Sequence, residues 1–365
     1  MYLPNSQTLD IAPLSRIFSN TSAAYKFFWF LCLLEIFQKG QTDIPYTDIV
    51  ARMIAKAWYP RLFFKLSFGK TESLAKWIDT LHAKEALPID NKEDLIVGAL
   101  INNPKNPSLV KSAFKQIADE VPYRFLMPWI KEQSNSQMVK RSQSFENQCL
   151  YALRRDRIYG LIIRINPLWQ AYLRANYQIL IEYTYWHLAQ YLQARNPNVP
   201  GIPSKLMRPE KRASLARQRD FWKEAIGIQG KMHCIYTGRT ITPEMSFDLD
   251  HFLPWRFVAH DRLWNLIPVA NIEEEEFRLN SSKSDFLLDI DRFLPPLANE
   301  HLLALQAIIQ QGKRPKVIED YVDLGLDCED FETISRENFF EAFSKTYTPM
   351  NLIAKNMGFE VWNFQ

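Results

Sequence analysis

The sequence predicts a mainly α-helical chain with a small α+β insert, and three observations predict it. Apolar residues recur at spacings of three and four across residues 1–195 and again across 291–365, the period of helices buried on one face. Between these regions, Asn196-Pro197-Asn198-Val199-Pro200-Gly201-Ile202-Pro203 puts three prolines and a glycine into eight residues, which cannot sustain a helix. Beyond that break comes a strand-like run, Trp264-Asn265-Leu266-Ile267-Pro268, preceded by an Asp250-His251 pair suited to extended backbone. At 365 residues the chain is long for one compact unit. The expected division is a helical domain over 1–195, a linker and basic helix over 196–225, a compact α+β domain over 226–290 and a C-terminal helical region over 291–365.

From the start, Met1 to Ser19 is polar and lacks the positive start and apolar centre of a secretory signal, so a cytoplasmic protein is expected. The most apolar stretch, Phe27 to Leu34, lies between Lys26 and Glu35 and is too short to cross a bilayer. It predicts a buried helix introduced by the capping side chains of Ser19-Asn20-Thr21-Ser22, with no membrane partner. Breaks fall at Tyr59-Pro60, Leu87-Pro88, Asn102 to Pro107 and Pro122. Arg154, Arg155, Arg157 and Arg164 form the densest basic run of this region, suited either to a phosphate backbone or to ion pairs on a helix surface. Asn166-Pro167 marks the start of one long amphipathic helix from Trp169 to Leu192, with Leu168, Tyr172, Ile179, Tyr183 and Trp186 on its stripe.

After the linker, Lys205, Arg208, Lys211, Arg212, Arg217, Arg219 and Lys223 face only Glu210 and Asp220 in sequence, then Phe221-Trp222 opens an aromatic-rich helix. This basic segment is the expected guide for nucleic acid. The overall charge of +3 would not by itself argue for such a partner. Hydrophobic residues at 47% make a sizeable core affordable and exclude global disorder. Cys32, Cys149, Cys234 and Cys328 are scattered, which fits a reducing compartment. They lack the paired short spacings that a structural zinc site requires, so zinc is not expected. C-terminal helices are marked by Leu302, Leu303, Leu305 and Ile308, by Phe339 to Phe343 and by Met350 to Met357, the last ended by Gly358.

The chemistry concentrates in FDLDHFLPWRFVAHDRLWNLIPVANIEEEEFRLNSSKSD, residues 247–285. Asp250-His251, then Asn265, then Asn280 with Lys283 behind it is the residue set of a one-metal phosphodiesterase. A neutral imidazole takes a proton from water, and an oxygen-ligated divalent cation offsets charge on the departing sugar oxygen. Adjacent residues of a strand leave on opposite faces, so base and metal ligand need not compete for one ion. Carboxylate and amide oxygens without a thiolate favour Mg²⁺ or Mn²⁺.

Asp248-Leu249-Asp250-His251-Phe252-Leu253-Pro254 and Asn280-Ser281-Ser282-Lys283-Ser284-Asp285 resemble the HNH (ββα-metal) endonucleases, in detail the HNH domain of RNA-guided CRISPR effector nucleases. The resemblance implies a ββα-metal nuclease domain, with His251 as general base and Asp250 and Asn280 as ligands of a single Mg²⁺. It further implies Asn265 as a residue behind the ligands that steadies the loop and the histidine, and Lys283 near a substrate phosphate. Cys234-Ile235-Tyr236-Thr237-Gly238 is similar to the opening turn of that domain, where many relatives carry Cys-x-x-Cys; here the second position is Thr237. A second departure is the acidic stretch from Asn271 to Leu279, which bears on the register of Asn280.

The whole chain is similar in layout to stand-alone bacterial HNH proteins of mobile or anti-phage defence loci. That layout implies a DNA-cleaving defence enzyme, with a protein partner or activating complex for the helical flanks. The competing reading is a nucleic-acid-binding subunit of a larger complex whose HNH domain is silent or partner-activated. His260-Asp261 reads as a polar loop rather than a second metal pair, and His233 as incidental. Without a base-reading motif, low sequence specificity is the default.

Overall fold

The computed structural model describes residues 3–69, 73–158, 160–208, 212–270, 285–327 and 329–362. They fall into two compact units, Met1–Pro197 with Ile202–Arg208, and Asn198–Gly201 with Pro209–Gln365. The architecture is mainly α, with three small antiparallel sheets among the described residues. Among these residues, no helix is long and apolar enough to cross a membrane.

The first unit is built around α1 (Tyr25–Gln38), in which Phe27 to Leu34 are all buried. A helix that is apolar on every side has no solvent face, so it takes the middle of its unit. Its start differs from expectation: the cap is Ala24, with no side-chain hydrogen bond, rather than the Ser19–Ser22 run. A short strand β1 (Asp43–Pro45) leads into α2 (Tyr46–Trp58), which packs on α1. Lys56 of α2 is 8% exposed and is held by Glu35 at 2.6 Å and Glu93 at 3.1 Å.

Two expectations for this unit are corrected. Residues 151–165 are not helical: β2 (Tyr151–Asp156) and β3 (Gly160–Ile165) form a hairpin, and β1 pairs with β3 to give the order β1-β3-β2. The basic run therefore lies on strands and their turn, where Arg164 pairs with Asp43 at 2.8 Å across the β1–β3 ladder. The long helix is in fact two, α3 (Pro167–Ala175) and α4 (Tyr177–Arg195). At the break, Asn176 leaves helical geometry (φ −112°, ψ 17°) and donates through both its backbone N and its Nδ2 to the Tyr172 carbonyl. The interruption turns the stripe: Tyr172 and Tyr183 are buried, while Leu168, Ile179 and Trp186 are exposed. The start is as expected, with Asn166 Oδ1 accepting from Leu168 N at 3.0 Å and Pro167 in the first turn.

The second unit begins with α5 (Ala216–Gln229), stopped by Gly230 in the left-handed region (φ 77°). Next come the two-residue strands β4 (Met232–His233) and β5 (Thr240–Ile241), joined by the turn from Cys234 to Gly238. The pair β6 (Phe247–His251) and β7 (Leu266–Ala270) follows, antiparallel, with Asp250 opposite Ile267 and His251 opposite Leu266. The long helices α6 (Ile290–Gln310) and α7 (Arg336–Asn356) pack on each other, and α6 packs on α5. Gly358 (φ 85°) ends α7 as expected, letting Phe359 N reach the Ala354 carbonyl at 3.1 Å. The core runs from Phe221 and Trp222 through Leu249, Leu266 and Ile267 to Leu305 and Phe343.

Candidate functional site

Asp250 and His251 are the last two residues of β6, and the alternation of a strand sends them to different partners. Asp250 is 2% exposed, and the buried Tyr236 hydroxyl, from the turn between β4 and β5, donates to its Oδ2 at 2.6 Å. Burial, then the Asp250 charge, pushes the Tyr236 hydroxyl well above its ordinary pKa, so it remains a donor to that carboxylate.

His251 meets Asp261 instead, its Nε2 lying 2.8 Å from Asp261 Oδ1 in a largely enclosed pair. A carboxylate oxygen accepts, so Nε2 is the ring nitrogen that donates in this pair. The pair fixes the orientation of the imidazole.

Residues 252–265 join β6 to β7, and Asn265 closes this loop at its neck. Fully buried, it accepts from Leu253 N at 2.8 Å and donates to Leu253 O at 3.0 Å, while its own carbonyl accepts from Phe252 N at 2.9 Å. It acts on the loop that follows His251, as a clamp on backbone. From the other side, α5 braces the same structure: Gln218 Nε2 donates to the Asp261 carbonyl at 2.8 Å, Arg219 Nη1 to the Phe247 carbonyl at 2.5 Å, and Trp222 Nε1 to the Leu266 carbonyl at 3.1 Å. His260 stacks edge-on to Trp264 at 5.1 Å, and burial pushes its pKa down to about 4, so the ring stays neutral.

Asn280 and Lys283 lie outside the described residues, as does the acidic stretch from Asn271 to Leu279. Asp285, at the end of the same motif, forms an ion pair with Arg256 of the loop at 2.9 Å. Residues 234–284 match the family described as HNH endonuclease. The chain carries an HNH endonuclease domain. The match opens at the Cys234 turn and takes in Tyr236, Asp250, His251, Asp261 and Asn265. No curated protein and no solved structure matches the chain. An HNH endonuclease domain suggests nuclease activity on nucleic acid.

HNH nucleases generally use a divalent metal ion, and the donor chemistry here fits a hard one. Asp250 offers a buried carboxylate, whereas Cys234, the thiol nearest in sequence, is 1% exposed within the hydrophobic core. Among the described residues, no group of three or more His, Cys, Asp or Glu is placed to hold a metal. A site completed by Asn280 would draw its second ligand from outside them.

The basic segment is not one surface. Lys205 is a correction: it ends the turn Ile202–Lys205 of the first unit at 0% exposure, and burial pushes its ammonium down to about 7, so it is not presented to a phosphate. Arg219 is half-buried and committed to the Phe247 carbonyl. Arg208, Arg212 and Arg217 are exposed, with the Arg212 guanidinium 4.4 Å over the Trp255 ring; Lys211 lies outside the described residues. Tyr236 and Asp261 are the site residues whose roles the sequence did not reveal. Neither partnership has a fixed spacing, since each depends on a turn or loop folding back on β6.

Proposed function

We propose that this chain is a Mg²⁺-dependent HNH endonuclease that cleaves DNA to leave 5′-phosphate and 3′-hydroxyl ends. The observation that carries the reading is the His251–Asp261 pair inside the HNH match: a histidine held through Nε2 by a carboxylate, next in sequence to the buried Asp250. In the mechanism, His251 Nδ1 takes a proton from the attacking water, whose oxygen bonds to phosphorus as the P–O3′ bond breaks. Asp261 holds Nε2–H and favours the imidazolium that results. Asp250 and Asn280 would hold the Mg²⁺ (or Mn²⁺), which when bound offsets charge on the departing 3′ oxygen. Lys283 serves a substrate phosphate, Asn265 keeps the loop closed, and Arg208, Lys211, Arg212 and Arg217 attract the phosphate backbone. A role in anti-phage defence, with a protein trigger for the helical unit, is proposed on the resemblance in layout alone.

The test is to incubate wild type and His251→Ala with supercoiled plasmid, linear duplex, single-stranded DNA and RNA, each with Mg²⁺ and with chelator. Metal-dependent cutting of DNA that disappears in the variant is the expected result. Equal cutting by a folded His251→Ala protein would sink the mechanism. Cutting that arises only with an added partner would favour the partner-activated subunit instead.

A further inference from the structure

The segment Lys316–Leu324, far from the HNH match in sequence, grips the loop that carries Asp261. Asp320 Oδ2 accepts from Leu263 N at 2.7 Å and its Oδ1 from Arg262 Nη1 at 2.7 Å. Asp323 Oδ2 lies 3.1 Å from Arg262 Nε and accepts from Trp264 Nε1 at 3.3 Å. Arg262 thus spreads its guanidinium over two carboxylates, and its ordinary pKa is raised chiefly by the Asp320 hydrogen bond. Behind them, Tyr347 of α7 donates to the Trp264 carbonyl at 2.6 Å. Residues 262, 263 and 264 are therefore each fastened from outside the HNH match, directly after the residue that holds His251.

We propose that Asp320 and Asp323 are positioning residues for cleavage: they fix the loop behind Asp261 and, through Asp261, the orientation of His251. The inference rests on the reading of His251 as the base. A half-exposed arginine ion pair adds little on its own. The weight lies in the backbone N–H of Leu263 and in the place of the grip, one residue from Asp261. A base displaced by about 1 Å loses on the order of 10²-fold in rate, so a grip that holds this loop matters to the rate more than to stability.

The experiment compares full-length wild type, Asp320→Asn, Arg262→Gln, Arg262→Lys and His251→Ala on plasmid with Mg²⁺. It reads the rate at saturating substrate, KM, the melting temperature and the ¹⁵N signals of the His251 ring. The expected result for Asp320→Asn and Arg262→Gln is a rate lower by about 10–100-fold at unchanged KM. With it goes loss of the single Nε2–H signature of His251, while Arg262→Lys recovers part of the rate. Folded variants that cut at the wild-type rate, or that change only KM, would overturn the proposal. Should Asp320→Asn fail to fold, Arg262→Gln decides, because that side chain is 48% exposed. An active His251→Ala would remove the underlying reading, whereas a dead His251→Ala beside fully active Asp320→Asn and Arg262→Gln would remove only this inference.

Discussion

A histidine next to an aspartate in sequence is uninformative until it is known which nitrogen is occupied. In this protein the neighbour Asp250 turns away to Tyr236, and the aspartate that matters to His251 is Asp261, ten residues on. Replacing Asp261 by Asn lets an amide N–H face Nε2, which favours the wrong tautomer. Cleavage should fall on the order of 10²-fold or more with the fold intact, read as single-turnover rate beside a circular dichroism melt. Asn265→Ala strips both hydrogen bonds from the Leu253 peptide groups in a buried setting. We expect a loss of about 2–4 kcal/mol from two unsatisfied groups, measured by urea denaturation; a wild-type midpoint would show that the neck is not held by this amide. The motif made Asp250, His251 and Asn265 legible because their spacing follows two paired strands. Asp261 and Tyr236 were not, since their partnerships are made by a loop and a turn whose paths no local period encodes.

Among the elements, α5 and the residues before it carry two kinds of arginine that the sequence runs together. Arg219 and Trp222 tie it to the carbonyls of Phe247 and Leu266, whereas Arg212 and Arg217, before and on the same helix, are exposed. The arginines should therefore separate by assay. Arg212→Gln with Arg217→Gln should lower the slope of log binding constant against log salt by about 0.9 for each phosphate no longer neutralised, with stability unchanged. Arg219→Ala should leave that slope alone and destabilise the second unit by about 1–2 kcal/mol. A salt slope that responds to Arg219 and not to the other two would reverse this division. Helix and strand are equally compatible with the sequence at residues 151–165, where short apolar runs satisfy either period and the hairpin partner decides. The Asn176 break was hidden because one residue's hydrogen bonds to Tyr172, not its propensity, end α3.

For the whole molecule, two separately packed units mean that unfolding need not be one transition. The second unit carries a proton-linked weakness in its core. His301, fully buried, lies 2.5 Å by its Nδ1 from the Tyr321 hydroxyl, and burial pushes its pKa down to about 3. An unfolded histidine titrates near about 6.5, so between these values the unfolded chain binds a proton that the folded one refuses. Stability from this group is complete above about pH 6.5 and is lost as the pH falls toward about 3, at up to about 1.4 kcal/mol per pH unit. His301→Leu should flatten that slope in urea midpoints taken from about pH 7 to 4; an unchanged slope would assign it to another group. The mainly helical class was legible because long periodic segments dominate the chain. That the C-terminal helices pack beside the HNH domain was legible too, but the contacts that fasten them were not, because hydrogen bonds such as Tyr347 to Trp264 span 83 residues.

Those long separations also set an order of assembly in time. The loop around Asp261 finds Asp320 about 57 residues later and Tyr347 about 83 residues after Trp264. While the chain is being made from its N-terminus, Asp250, His251 and Asp261 leave the ribosome well before the residues that fasten them. A nascent chain halted before residue 320 would carry the whole HNH match without its grip. The segment that bears Asp320 and the helix that bears Tyr347 thus arrive last, and only with them is the loop of Asp261 fastened.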